Sequence, residues 1–549
     1  MRWRSPLLAI VVVLTPALAR AEAVRTWGAP PDAPNAAARV RGPATARDTG
    51  PPPPPPPATL GTPVPGSTSA SAEPATADAG PAASLGVVRT AGAIGLKYTL
   101  EGVEVRGNTT TLARVVLRYV PLHTGDVLDV NDAELELTRF RLLGTGFFRD
   151  VQLSLRRGTR RGYVVLVVDV IERNTVVIDG VWLGLSADVD PGGISRPLTA
   201  YGGAKVTETN LAGTGIALGG AFAVADGQLG LRARLVDPQA LRSNWITETE
   251  LLYNNARDFF GNHDVLVDPP GGDFAVAQYK RFGGRVGFGH DLGISSQLFV
   301  HYRLEKVDAT LPDAASDHRG LDIEPVDFML LRGTSILSTL GATFVYDTRD
   351  EPFLPTRGEQ LIGSIQASLT PFGSDYPHTK LVLRGAEWLR LPWGHVLNLE
   401  AFAGGVFGTA PLFERFYVGD FTDLLPDRVL DLNFDRRPAP NYLNTSIVEN
   451  RYGNYAAKLG AEYRIPIYRG ERSIYGVDFF SSFGIYGLAN DADFTNRARG
   501  CQGFASVPID LTFNAGLRID TQVGGFVLGV AQLVGLIPVR GPVQGACRP

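Results

Sequence analysis

The chain has 549 residues, a formal net charge of −4 and 20% charged residues, so it shows no basic excess of the kind that is typical of nucleic-acid binding. Its mean hydropathy is only +0.02, and after the N-terminus no apolar run reaches the roughly 18 residues that suggest a membrane-spanning helix. If this chain enters a membrane, it must do so as a closed β-barrel, because only helices and closed barrels satisfy the backbone in lipid.

The N-terminus has the order of features that is typical of a secretory signal. Arg2 and Arg4 precede an apolar stretch from Leu7 to Leu14, and the small-residue pattern Ala19-Arg20-Ala21 follows. We therefore predict a signal peptide over residues 1–21 and an exported mature chain. The alternative is a short buried helix.

Residues 22–96 are rich in proline and alanine and poor in aliphatic side chains, and they include the unbroken run Pro51–Pro57. A segment of this composition cannot build a core, so it predicts a disordered linker that polyproline stiffens locally. A ligand for a proline-reading module is the alternative.

The next region changes to short elements. An alternating segment from Tyr98 to Val105 predicts a strand, and Gly107-Asn108 predicts a turn. Two helices follow, each with one apolar face, and Gly144 ends the second. Two further strands complete a small α+β domain with a three-stranded sheet, at residues 148–155 and 163–172.

Four segments of this region stand in a characteristic order and spacing. They are Val105–Thr109, Gly125–Asp129, Leu142–Val151 and Val170–Glu172. Together they resemble a POTRA domain, the periplasmic module of the BamA/TamA outer-membrane assembly superfamily, and the resemblance implies such a domain over residues 97–173. The positions expected to shape it are Gly107, Asn108, Gly144, Phe147 and Phe148. An exposed sheet edge can pair with a client strand, and a spacer that binds nothing is the alternative.

From Thr175 to Pro538 alternating segments separated by turn signals predict fifteen strands. They are residues 175–186, 199–208, 215–225, 228–236, 245–255, 277–289, 296–306, 334–347, 358–370, 379–390, 395–407, 455–466, 474–487, 508–520 and 524–537. Short connections alternate with mostly longer ones. This asymmetry is typical of outer-membrane barrels and not of soluble sandwiches.

The turn between the eighth and ninth strands runs Tyr346–Asp350 and then Leu354–Gly358, and it closely resembles a turn of the superfamily's barrel. Its residues of interest are Asp347, Arg349, Arg357 and Gly358. We expect the three charges to satisfy one another and to cap the periplasmic rim. A direct functional role is the alternative.

The predicted fold class is therefore an all-β transmembrane antiparallel barrel preceded by one α+β POTRA domain. The barrel covers residues 174–549 and has about 16 strands, of which 15 are readable. The resemblance places it in the bacterial outer membrane, with the POTRA domain in the periplasm.

The longest connection, residues 408–454, contains Glu414–Gly419, which resembles the start of the family's sixth loop. The resemblance implies a loop that folds into the lumen. In the family an arginine at the loop tip pairs with an aspartate of the wall, but here that arginine is missing and Ser482 occupies the acid position. We therefore expect a different set of contacts to hold the loop against the wall. The candidate residues of the lumen loop are Glu414, Arg415, Phe416, Tyr417, Gly419, Arg428, Arg436 and Arg437.

Fifteen readable strands are an odd number, whereas bacterial single-chain barrels have even counts. Either the tail after Pro538 supplies a short irregular strand, or the seam closes in another way. With fifteen strands, Cys501 and Cys547 both fall on the extracellular side and can form a disulfide across the seam. Peptide mapping with and without reductant tests this expectation, and two free thiols would refute it.

The sequence gives little support for an enzyme. Its seven histidines are scattered without metal-ligand spacing, and no nucleophile, phosphate-binding or calcium-binding motif stands in the context that such a motif requires. We therefore predict no enzymatic activity, no cofactor and no metal site.

The resemblance implies a function in protein assembly or secretion at the outer membrane. The POTRA domain is expected to capture unfolded client proteins through its edge strand, and the barrel is expected to insert or translocate them without ATP. The expected partners are outer-membrane lipids, client proteins and periplasmic partner proteins, with no nucleic acid. The alternative is a passive outer-membrane pore or surface scaffold with degenerate insertase features.

Overall fold

The computed structural model describes residues 97–129, 133–186, 199–225, 227–240, 243–260, 265–268, 275–319, 322–417, 421, 428–433, 452–470, 473–491 and 509–535. The predicted signal peptide (1–21) and linker (22–96) lie outside these residues, as do Cys501 and Cys547. Those expectations remain predictions.

The α+β domain is a four-stranded sheet packed with two helices. Its elements are β1 (Lys97–Arg106), α1 (Ala113–Arg118), β2 (Val127–Asp129), α2 (Ala133–Gly144), β3 (Phe148–Arg157) and β4 (Tyr163–Glu172). The sheet order is β2-β1-β4-β3, with β1 parallel to β4 and the other pairs antiparallel. Both helices and the sheet contribute to one core, in which Val115, Leu142, Phe147 and Leu166 are buried.

The prediction of a three-stranded sheet was wrong by one strand. The additional strand β2 has only three residues, which is too short to show an alternating pattern, and it pairs with residues Lys97–Thr99 of β1. Gly125 precedes β2 at φ +100°, a left-handed conformation that glycine adopts without strain. The strand β3 lies at the opposite edge of the sheet.

The remaining strands, in chain order, are β5 (Val176–Ser186), β6 (Thr199–Glu208), β7 (Ala217–Ala225), β8 (Gln228–Asp237), β9 (Trp245–Phe260), β10 (Val265–Asp268), β11 (Ala275–Gly293), β12 (Ser296–Thr310), β13 (Ala314–Arg319), β14 (Asp322–Pro325), β15 (Gly333–Asp347), β16 (Gly358–Ser368), β17 (His378–Arg390), β18 (Val396–Gly408), β19 (Phe416–Tyr417), β20 (Arg428–Val429), β21 (Leu432–Asn433), β22 (Tyr452–Gly453), β23 (Tyr455–Arg469), β24 (Ile474–Ala489), β25 (Ile509–Thr521) and β26 (Gly524–Gly535).

Fifteen of these strands form one antiparallel meander in the order β5-β6-β7-β8-β9-β11-β12-β15-β16-β17-β18-β23-β24-β25-β26. This nearly closed barrel confirms the predicted fold class and contains all fifteen predicted strands. The short strands β10, β13 and β14 form a separate sheet among the long loops. The pairs β19–β22 and β20–β21 belong to the long connection between β18 and β23.

Burial along the barrel strands is the reverse of that in a soluble sandwich. In β8, Leu231 is 44% exposed, whereas its neighbour Arg232 is 6% exposed. In β12, Val300 is exposed and the next residue, His301, is buried. The apolar face therefore points outward, where lipid replaces water, and the charged face lines the lumen.

Several strands extend further than predicted at the end that carries the long loops. The strand β9 continues to Phe260 instead of residue 255, and β12 continues to Thr310 instead of residue 306. Beyond the lipid both faces of a strand can meet water. In β12 the alternation then reverses its phase, because Lys306 and Asp308 are exposed whereas Val307 and Ala309 are buried.

The two ends of the barrel have different connections. One end, which we call the short-turn rim, carries the turns 209–216, 238–244, 294–295, 348–357, 391–395, 470–473 and 522–523. The α+β domain joins the barrel at this rim, because only residues 173–175 separate β4 from β5. Within the described part of the chain, no helix combines the length and apolar character needed to cross a membrane.

Candidate functional site

The long connection enters the lumen immediately after β18. Residues Leu412–Glu414 form a single 3-10 turn behind Pro411, and all three are buried. The backbone N–H of Leu412 donates to the carbonyl of Met329, 3.0 Å away, in the neighbouring long connection. The start of the loop is thus anchored to the connection between β14 and β15.

Glu414 fixes this turn to the wall by charge. Its carboxylate accepts hydrogen bonds from Arg303 of β12 at 2.5 Å and from Lys380 of β17 at 3.3 Å. The Glu414 side chain is only 4% exposed. A buried carboxylate without partners would be strongly destabilising, so these two inward-facing cations determine where the turn can lie.

Phe413 adds an aromatic contact beside the ion pair. Its ring lies 3.9 Å from the Arg281 guanidinium carbon and 5.7 Å from the Tyr279 ring, measured to the Phe413 centroid. Arg281 is itself buried and donates to Glu305 at 2.9 Å. The cation–π contact therefore joins the loop to a charged network that belongs to the wall.

Further along, the hairpin β20–β21 contacts the same part of the wall, on β8, β9 and β11. Its two turn residues, Leu430 and Asp431, both have left-handed backbones with φ of 51° and 62°. The Asp431 carboxylate accepts from Arg232 at 3.0 Å and from Arg281 at 3.1 Å. Asn254 donates to the Leu430 carbonyl at 2.7 Å. A non-glycine turn of this kind is strained, so the wall contacts stabilise it.

This contact places an acid on the loop and arginines on the wall, the reverse of the family arrangement that the sequence led us to consider. Ser482, at the family's acid position, accepts a hydrogen bond from Asn514 at 2.9 Å. Sequence reasoning missed Asp431 and its partners. The sequence feature that points to the wall partners is the placement of charged residues at every second position on the inward face, as at Arg232 and Arg281.

The predicted arginine substitutes stay predictions. Gly419, Arg436 and Arg437 lie outside the described residues, and for Arg428 only the backbone of β20 is described.

Three other predicted loop residues lie together near the loop entrance. Phe416 packs edge to face on Phe402, and a Cβ at Gly404 would lie 2.3 Å from the Phe416 ring. Tyr417 packs against Tyr452, with ring centroids 5.2 Å apart, and the two residues pair across β19 and β22. Arg415 is half-buried beside them. The two ends of the loop are therefore held together.

We call the gap between β5 and β26 the seam, and in the part of the chain that the structure describes the two strands meet at the short-turn rim. There the N–H of Ile178 donates to the carbonyl of Val523 at 2.7 Å, and Asn174 donates to the carbonyl of Gln522 at 3.2 Å. No ladder joins the described residues of β5 and β26, which end the fifteen-stranded sheet. A cavity of about 180 Å³ lies at the rim end of the seam, lined in part by Val177, Ile178, Phe353, Ile519 and Phe526.

The charged residues of the predicted rim turn make two separate ion pairs. Arg349 pairs with Asp347 at 2.5 Å. Arg357 does not join them; it pairs with Glu136 of α2 at 2.8 Å and lies over the Phe140 ring. The expectation that all three charges satisfy one another was therefore wrong for Arg357, because the docked α+β domain offers it a nearer acid. Gly358 has φ +107°, and a Cβ there would lie 2.4 Å from the Thr348 carbonyl oxygen.

The α+β domain is docked on several turns of the same rim. Arg118 and Arg141 both pair with Asp291 at the end of β11, and all three side chains are largely buried. Asn210 of the first turn donates to the Thr111 hydroxyl at 2.8 Å. These polar contacts define the position of the domain over the rim.

The predicted POTRA positions shape the domain core and its loops. Gly107 has φ +81°, and a Cβ there would lie 2.0 Å from the Val170 carbonyl oxygen. Asn108 does not cap α1; its side chain donates to the carbonyl of Thr111. Gly144 is the last residue of α2, and the rings of Phe147 and Phe148 are buried with centroids 6.0 Å apart.

The loop at residues 109–111 is held by Glu172, a residue that the sequence did not single out. Its carboxylate accepts from the backbone N–H groups of Thr109, Thr110 and Thr111 and from the Thr109 hydroxyl. Although burial acts in the opposite direction, these hydrogen bonds lower the pKa of Glu172 to about 2.

Residues 210–531 match the family model of the Omp85 superfamily domain. Among solved structures, the chain is similar to BamA from Haemophilus ducreyi lacking POTRA domains 1–3, with 14% identity, a TM-score of 0.43 and coverage of 80% of this chain and 81% of that chain. It is also similar to CdiB from Escherichia coli (13% identity, TM-score 0.49, 80% and 74% covered) and to CdiB from Acinetobacter baumannii (12%, 0.41, 77% and 67%). No curated protein matches the chain significantly by sequence.

Proposed function

The chain belongs to the Omp85 superfamily, and we propose that it inserts client proteins into the bacterial outer membrane or secretes them across it. The observation that carries the proposal is the seam. Among the described residues, one backbone hydrogen bond, from Ile178 to Val523, and no ladder joins the first and last strands of the fifteen-stranded sheet, so each of these strands presents an edge. Strand edges of this kind bind further strands by backbone pairing.

In this proposal residues 97–173 are a periplasmic POTRA domain and residues 174–549 are the barrel. The domain receives an unfolded client at β3, because β3 is an edge strand of its sheet. The client then passes to the seam as an extended segment. No step in this sequence requires enzymatic chemistry or a cofactor.

The lumen loop supports an assembly factor more than a passive pore. Glu414 and Asp431 hold the loop to four cations on the wall, and Phe413, Leu430 and Leu432 are buried against it. An unoccupied channel is the feature that a passive pore requires. The proposed partners are the lipids around the apolar outer face, unfolded clients and periplasmic proteins that deliver them.

A reversible seam lock tests the proposal. In a background with Cys501→Ser and Cys547→Ser, the variant Ile178→Cys with Val523→Cys places two thiols at the backbone contact of the seam. The full chain is reconstituted into liposomes, and the folding of a client barrel is followed by its heat-dependent gel migration. We expect the reduced protein to accelerate client folding and the oxidised protein to lose the acceleration.

The same sample is its own control, because adding reductant to the oxidised protein must restore the acceleration. Equal acceleration by both forms would show that the seam is not used. Steady ion conductance without any acceleration of client folding would favour the passive pore instead.

A further inference from the structure

Arg173 stands at the junction between the two folded parts of the chain. It follows the last residue of β4, Glu172, and β5 begins at Val176. Its own backbone N–H donates to the carbonyl of Phe147 at 2.9 Å, inside the core of the α+β domain. The backbone of Arg173 is therefore held by the domain.

The side chain of Arg173 is held by the barrel. It is 3% exposed and donates to the Asp520 carboxylate and to the Thr521 carbonyl, both at 2.8 Å. The guanidinium carbon also lies 4.1 Å from the Phe353 ring centroid and 4.9 Å from that of Tyr475. Two hydrogen bonds and two ring contacts leave this side chain little freedom, and guanidinium is the side-chain group that suits such a combination.

The hydrogen-bond acceptors of Arg173 belong to the strand next to β26. Asp520 and Thr521 end β25, the strand that pairs with β26, and Phe353 lines the cavity at the rim end of the seam. The next two residues of the turn, Gln522 and Val523, are bonded by Asn174 and Ile178. Four successive residues, from Asp520 to Val523, are thus bonded to residues 173–178, which follow β4 directly.

Separating a buried arginine from a buried carboxylate partner has a large free-energy cost. Asp520 is 2% exposed at its side chain, so removing Arg173 leaves a buried carboxylate without its cation. Movement of the α+β domain therefore either carries the last turn along with it or breaks this contact.

We infer that Arg173 is a positioning residue that couples the docking of the α+β domain to the position of the hairpin β25–β26, and so to the width of the seam. Its relevance to client handling rests on the proposed function, but the coupling itself is a property of the protein without client. The last hairpin is free to separate from β5 only when the contact of Arg173 with Asp520 and Thr521 is lost.

The test measures the seam width directly in the full chain without native cysteines. Spin labels at Val181→Cys and Leu528→Cys, which are exposed on the outer faces of β5 and β26, report the distance across the seam by pulsed electron paramagnetic resonance. We expect Arg173→Gln to give a longer and broader distance distribution than the parent. The matched control is Arg139→Gln, because Arg139 pairs with Asp150 inside the same domain, and we expect the parent distribution from it.

A reciprocal variant keeps the proposal testable if Arg173→Gln does not fold. Asp520→Asn removes the other half of the contact and should broaden the distribution in the same way, and the double variant should be no broader than either single variant. A distribution that matches the parent in both single variants, or equal broadening by Arg139→Gln, would overturn the coupling.

Client folding in liposomes, measured on the same variants, separates this inference from the proposed function. Lost client folding with an unchanged seam distance overturns the coupling and leaves the proposed function standing. A widened seam in Arg173→Gln, in a protein whose parent does not accelerate client folding, supports the coupling and overturns the proposed function.

Discussion

The contact between Asp431 and the lumen wall makes the most direct prediction. Asp431→Asn removes the charge of the loop tip and keeps its shape, and asparagine tolerates the left-handed backbone of this turn as aspartate does. The Asp431 side chain is 15% exposed, and its partners Arg232 and Arg281 are 4% and 2% exposed. The substitution therefore acts on a contact that is largely shielded from water.

The expected loss of stabilising free energy depends on the acid partners that the two arginines retain. Arg281 keeps Glu305 at 2.9 Å, and Arg232 keeps a longer contact with Glu250 at 3.7 Å. The loss is therefore smaller than the roughly 3–5 kcal/mol of a stranded buried charge, and we expect about 2 kcal/mol, as for a hydrogen bond to a charged group. Since about 1.4 kcal/mol is a tenfold change, the released fraction of the loop tip should rise on the order of 30-fold.

The assay uses Leu432→Cys as a reporter, because Leu432 is fully buried beside Gly230. Labelling by a hydrophilic maleimide follows the released fraction when the tip returns faster than it reacts. The control is Asp313→Asn, which removes an exposed pair with Arg332 and should change the labelling rate by less than about fivefold, the equivalent of 1 kcal/mol. Equal labelling rates in the Asp431→Asn protein and its parent would refute the reasoning.

Three further predictions follow from the rim and the α+β domain. The pKa of Glu172 is lowered to about 2 from 4.5, so its contribution to domain stability is present above pH 4.5 and is lost as the pH falls through 2; Glu172→Gln should remove this slope in thermal melts. Glu351 lies in the rim turn 348–357, and burial and then the neighbouring Asp520 raise its pKa to about 8. Its contribution to barrel stability is therefore present below pH 4.5 and is lost as the pH rises through 8. Glu351→Gln should flatten that part of the profile of urea-unfolding free energy against pH. Asp291→Asn leaves Arg118 and Arg141 without their shared acid and should weaken domain docking by about 3 kcal/mol. Arg357→Gln removes an exposed contact and should weaken docking by less than about 1 kcal/mol. The rate of limited proteolysis at the junction between the domain and the barrel compares the two variants.

The barrel strands could be predicted because a wall between lipid and a charged lumen imposes a period of two on the sequence. In β8 the alternation of Leu231 and Arg232 is visible without any structure. The strand ends beyond the lipid could not be predicted in the same way, since in β12 the apolar residues Val307 and Ala309 face inward there, so the phase of the alternation is reversed. The strand β2 was missed because three residues carry no period.

The partners within the candidate site were harder to predict. Asp431 and Arg232 are far apart in sequence, and many inward charges satisfy the same alternation, so the pattern does not say which acid meets which cation. Arg357 illustrates the same problem, because its partner Glu136 belongs to a different domain. Such pairings depend on how the domain and the loop dock, which short-range patterns do not record.

The number of strands in the described sheet has a consequence for direction. In an antiparallel meander of fifteen strands the first and last strands point the same way, and β5 and β26 both run from the short-turn rim toward the long-loop end. Direct closure would need a parallel ladder, which is slightly weaker per residue than an antiparallel one. One added strand of opposite direction would instead pair antiparallel with both edges and bring the barrel to an even count. The odd number thus gives the seam a polarity: it favours a single strand that runs from the long-loop end to the rim.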